Sequence, residues 1–132
     1  MSAHSGNSLK TRLGRVRGLG AAKEGAAHWW AQRLTALALV PLMLWLVVSL
    51  VALAGAPHGV VVAWVKGPVT AVLLVALIAA LFHHLQLGLQ VVVEDYVHTE
   101  WRKLALIIVI KFAAVLAALT GILSVLRIAL GA

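Results

Sequence analysis

Three long apolar runs separated by two short polar breaks set the plan of this chain. They cover about residues 29–54, 69–93 and 104–130. Each exceeds the roughly 20 residues that a helix needs to cross a hydrocarbon core of about 30 Å. In lipid the backbone must satisfy its own hydrogen bonds, so runs of this length predict helices. Pro41 lies inside the first run, where a membrane helix tolerates it and can kink. Residues 54–68 form the first break, with Gly55, Pro57, Gly59, Gly67 and Pro68. They predict a turn region, with Val60 to Val65 readable either as loop or as an early helical turn. Residues 94–103, from Glu94 to Lys103, form a polar connection. The expectation is an all-α membrane protein with three transmembrane helices, divided into a basic segment 1–28 and a membrane domain 29–132.

Composition supports this plan. The chain has 132 residues, 63% of them hydrophobic and 11% charged, with a mean hydropathy of +1.03. An ordinary soluble domain is about 25% charged. There is no cysteine, which excludes a disulfide frame, a thiolate metal site and a thiol nucleophile. The formal charge of +7 is not read as nucleic-acid binding, because most of it sits beside the first span, where it meets anionic lipid.

The basic residues orient the chain. Six of the 11 precede or open the first span: Lys10, Arg12, Arg15, Arg17, Lys23 and Arg33. Arg102 and Lys103 lie in the second connection, whereas the first has only Lys66. By the positive-inside rule, the N-terminus and the Asp95–Tyr96 end face the cytoplasm, or the matrix in a mitochondrion. The N-terminal segment lacks the apolar core of a secretory signal. It shares its basic, acid-poor character with mitochondrial transit peptides, but it is short and glycine-broken, and the preferred reading is a cytoplasmic tail lying on the membrane or on a partner. Lys111, about two turns into the third span, has a stem long enough to snorkel to the same side.

The chemistry concentrates between His83 and Trp101. His84 and Asp95 are 11 residues apart; at about 100° per residue they share a helix face to within roughly 20°, about 16 Å apart along the axis. An imidazole near mid-membrane thus stands above a carboxylate and the Tyr96 phenol at the interface. Gly88, one turn from His84, leaves room for something flat against the backbone. An ionisable group deep in a span is costly and tends to face the bundle interior. A neutral imidazole there is either a helix-contact residue or an axial ligand to haem iron, and the aligned Gly88 and Asp95 favour the ligand. A second axial ligand would come from another chain. His83 is turned by about 100° and reads as a helix-contact or lipid-side residue; a one-residue shift of register would exchange the two. Arg33, with His28 just before the span, suits a haem propionate, since a guanidinium grips a carboxylate with two parallel hydrogen bonds. It equally suits an ordinary basic anchor. Gln32 and Thr35 carry no information alone. Tyr96 can donate a hydrogen bond to a quinone carbonyl and Asp95 can orient that donor or pass protons; the plain alternative is a helix end decorated with polar residues. Glu94, His98 and Glu100 read as solvated.

His84, ten residues, then Asp95–Tyr96, in the second of three spans, resembles the small hydrophobic membrane-anchor subunit of succinate dehydrogenase, respiratory complex II. The stretch AHWWAQRLTALALVPL from Ala27 to Leu42 is similar to the opening of the first span in alphaproteobacterial and mitochondrion-like members. The resemblance covers about residues 20–130. It implies a place in a heteromeric helix bundle with the cytochrome b subunit, beside the iron–sulfur and flavoprotein subunits, in the bacterial cytoplasmic (inner) membrane or the mitochondrial inner membrane. It implies one haem b shared between two chains, with His84 as the ligand from this one and Arg33 and His28 towards the propionates. It makes Tyr96 and Asp95 part of the ubiquinone site. Succinate oxidation itself would belong to the flavoprotein. The readings kept beside it are a fumarate reductase-type anchor, a cofactor-free membrane scaffold and a small proton-conducting protein with His84 as relay.

Overall fold

The computed structural model describes residues 22–131, with side chains from Gly25 onward. The basic segment as far as residue 21 lies outside the described residues. Four helices follow: α1 Ala22–Ala52, α2 His58–Lys66, α3 Pro68–Tyr96 and α4 Glu100–Ala129. Three of them are long and apolar enough to cross a membrane: Gly25–Ala52, Pro68–Tyr96 and Glu100–Ala129, with mean hydropathies of 2.5, 2.1 and 2.6. The described residues are therefore those of an all-helical, three-span membrane protein.

Each spanning helix runs past its apolar run. α1 begins seven residues before Trp29, α3 continues through Glu94, Asp95 and Tyr96, and α4 starts at Glu100. The polar connection expected over residues 94–103 shrinks to Val97, His98 and Thr99. Hydropathy marks what lipid covers; backbone hydrogen bonding does not stop at that boundary. Residues 60–65 also resolve, as part of the nine-residue helix α2. Gly55 makes the turn before it, with φ +78°, in the left-handed region open to glycine. The break between α2 and α3 is a single extended residue, Gly67 (φ −59°, ψ 130°), followed by Pro68 at the first position of α3. Proline suits that position because its fixed φ is helical and its missing N–H would be unpaired anyway.

Three hydroxyls inside the spans are satisfied locally. Ser49, Thr120 and Ser124 each donate to the carbonyl four residues back, at 2.7 Å. Such back-bonding removes an unpaired polar group from lipid.

α3 is the central rod. α1 packs on one side of it and α4 on another, and the two do not meet. α2 leans on α3 and α4 and touches α1 through stacked rings, Trp45 on Trp64 at 5.6 Å and 25°. Very little is enclosed: among the described residues Val65, Leu77, Leu87, Val93 and the polar Gln86 are buried, and α4 contributes none. Gly121 brings α4 against α3. A Cβ built there would lie 3.3 Å from both Cδ1 and Cγ2 of Ile78, which is tighter than normal contact. Gly121→Val is therefore expected to cost about 1–3 kcal/mol through overpacking, read as a lower midpoint of thermal dissociation of the assembled complex. Ile78→Ala in the same chain should recover most of the loss; strictly additive losses would refute this contact.

Candidate haem-side and quinone-side residues

α1 and α3 meet along two polar stripes. On α1 they are His28, Gln32 and Thr35, spaced four and three residues apart and so on one face. On α3 they are His84 and Gly88. The Thr35 Oγ1 lies 2.9 Å from His84 Nδ1. One turn away, a Cβ built on Gly88 would meet Gln32 Nε2 at 3.8 Å. Position on α1 falls as position on α3 rises, so the helices are antiparallel, and His28 lies one further turn towards the Asp95 end.

The Gln32 carboxamide of this chain thus comes within ordinary contact distance of the open position at Gly88. His84 is half-buried and His83 exposed. The two rings leave α3 on different sides. His83 lines a groove of about 290 Å³ between α3 and α4, together with Gln86 and Lys111. His84 is the one on the Gly88 stripe. Gln86 also heads a ladder on α3, donating to Gln90 at 3.1 Å, which donates to Glu94 at 3.0 Å.

Two buried polar atoms on the α1 stripe have no partner: His28 Nε2 and Gln32 Oε1. Buried polar groups are nearly always hydrogen-bonded, so these two atoms are open to a partner from outside the described residues. Arg33 does not join them. It is exposed, lies about 200° around α1 from Thr35, and holds its guanidinium 4.4 Å over the Trp29 ring. Asp95 and Tyr96 are exposed at the last turn of α3, Tyr96 at 78%. The unbroken helix from Pro68 to Tyr96 keeps Asp95 in phase with His84.

The donor set suits a macrocyclic metal. Among the described residues no three His, Cys, Asp or Glu side chains gather as for a bare ion. Iron in a porphyrin brings four ligands of its own and asks for one imidazole nitrogen from a chain. His84 offers that, and the unpartnered His28 nitrogen is a candidate donor towards a carboxylate.

Sequence reasoning passed over Gln32 and Thr35. The signal was the spacing His28, Gln32, Thr35, which places all three on one helix face; what it lacked was the neighbour.

These features define a multi-pass membrane protein with a histidine held between two of its three spans. Residues 7–118 match the family model described as the succinate dehydrogenase/fumarate reductase transmembrane subunit. The chain belongs to that family. Its relatives include the succinate dehydrogenase hydrophobic membrane anchor subunit of Rickettsia bellii, 33% identical over 89% of this chain and 94% of the relative. That of Rickettsia conorii is 28% identical over 78% and 82%, and the succinate dehydrogenase membrane anchor subunit of Reclinomonas americana is 28% identical over 70% and 80%. No solved structure matches the chain significantly.

Proposed function

We propose that this chain anchors a succinate:ubiquinone oxidoreductase in the bacterial cytoplasmic membrane and completes two sites with its partners. His84 supplies one axial ligand to a haem b shared with the cytochrome b subunit. His28 takes a propionate from the face it shares with Gln32 and Thr35, and Arg33 takes one by swinging off the Trp29 ring over which its guanidinium lies. Tyr96 and Asp95 take part in the ubiquinone site, next to the iron–sulfur subunit, and the flavoprotein subunit oxidises succinate outside the bilayer. The observation that carries the reading is His84 itself: half-buried within the second span of a chain of this family, with one ring nitrogen bonded to Thr35 and the other left over.

Each residue has a task that its chemistry suits. The Tyr96 phenol donates a hydrogen bond to a carbonyl oxygen, and the Asp95 carboxylate beside it accepts and returns protons at the water boundary. Arg33 and His28 are cations or donors for carboxylates. When bound, the haem supplies a one-electron centre inside the bilayer. The excess of basic residues before the first span and after α3 supports an N-terminus on the cytoplasmic side, where the Asp95–Tyr96 end meets the hydrophilic subunits. The relatives named above favour succinate dehydrogenase over a fumarate reductase-type anchor.

The test is the complex purified through this chain. It is expected to contain the flavoprotein and iron–sulfur subunits, to show the visible bands of a low-spin haem on reduction, and to pass electrons from succinate to ubiquinone. A preparation without haem bands would leave a cofactor-free scaffold. Proton flux through the isolated chain in liposomes would favour a conducting protein.

A further inference from the structure

The Thr35 hydroxyl carries one proton and has three acceptor atoms within reach. They are the Ala31 carbonyl at 2.7 Å, the Gln32 carbonyl at 3.0 Å and His84 Nδ1 at 2.9 Å. Where that proton goes decides the state of the ring. Ser49, Thr120 and Ser124 in this chain all send theirs to the carbonyl four residues back, at the same 2.7 Å. With the Thr35 proton on Ala31, its oxygen has only lone pairs to offer the imidazole, and Nδ1 must be the donor.

We infer that Thr35 is a positioning residue for His84: it fixes the neutral ring with its proton on Nδ1, leaving the Nε2 lone pair free, on the far side of the ring, for iron. The inference rests on the reading of His84 as a haem ligand and deepens it. The which-nitrogen question is settled by what the other nitrogen bonds to. A ligand imidazole whose second nitrogen donates to an oxygen is held in orientation and made more basic. A more basic ligand favours the ferric over the ferrous state, so the bond also lowers the haem midpoint potential. Thr35 acts through the ring it contacts. Gln32, one turn along at Gly88, lines the same seam, so α1 backs the Nδ1 side of the ring.

The assembled complex carrying Thr35→Val or Thr35→Ser tests this. Valine keeps the shape and removes the oxygen; serine keeps the oxygen. Thr35→Val is expected to weaken haem retention 10- to 100-fold, read as the haem-to-flavin ratio after extraction, and to raise the midpoint potential in a redox titration. Thr35→Ser should restore both. A Thr35→Val complex with full haem and an unchanged potential overturns the inference, as does a serine variant that behaves like valine. His84→Ala separates this from the ligand assignment. If His84→Ala abolishes haem while Thr35→Val changes nothing, only the role of Thr35 falls. If His84→Ala keeps haem, the ligand assignment falls with it. If the valine variant does not assemble, pulsed EPR on the oxidised wild-type complex reads the same bond. An Nδ1 quadrupole coupling typical of a hydrogen-bonded N–H supports it, and that of an unbonded one overturns it.

Discussion

Replacing His84 by alanine is expected to remove the low-spin haem bands from the assembled complex. The imidazole is half-buried on the α1 side of α3, and no other ring lies on its stripe among the described residues. His83 leaves the helix about 100° away, in the groove with Gln86 and Lys111, so His83→Ala should leave the bands as they are. The alanine variant should still assemble. Thr35 keeps its bond to the Ala31 carbonyl, so no donor proton is stranded when the ring goes. The loss is one hydrogen bond, worth about 1 kcal/mol, plus a half-buried side chain. Unchanged bands in His84→Ala would count decisively against the assignment, and loss of bands in His83→Ala instead would move the ligand by one residue.

The second large effect is expected at Tyr96. Tyr96→Phe should slow reduction of ubiquinone about tenfold while succinate oxidation with a soluble artificial acceptor stays intact. The phenol is 78% exposed at the last turn of α3, so removing its oxygen leaves the packing of this chain undisturbed. A hydrogen bond contributes about 0.5–1.5 kcal/mol, and 1.4 kcal/mol in a barrier is about tenfold in rate. The split between the two assays is the point. Equal loss in both would make Tyr96 an assembly residue and contradict the proposed role.

Much of this molecule was legible in its sequence because lipid imposes a simple rule. Three spans, their rough limits and the alignment of His84 with Asp95 need only hydropathy and the helical repeat, and α3 runs unbroken through both residues. The difference in phase between His83 and His84 was legible as well: His84, not His83, lies on the Gly88 stripe facing α1. What the sequence did not show was partnership. Nothing in Gln32 or Thr35 says that α1 lies against α3 rather than α4. That choice follows from tertiary packing, as does the approach of Gln32 to Gly88. Helix α2 was ambiguous for a different reason: between Pro57 and Gly67 there are too few residues for periodicity to separate a helix from an extended apolar loop. The helix ends were underestimated because Asp95, Tyr96 and Glu100 lie beyond the apolar runs.

Because α1 and α4 flank α3 without touching, the described helices form a panel rather than a barrel: two broad sides and almost no inside. A panel gains little by closing on itself, and its native arrangement is held by whatever binds it, through mass action. Copies made in excess of their companions should be short-lived in the cell. The amount of this protein should then follow the supply of its companion subunits rather than its own rate of synthesis.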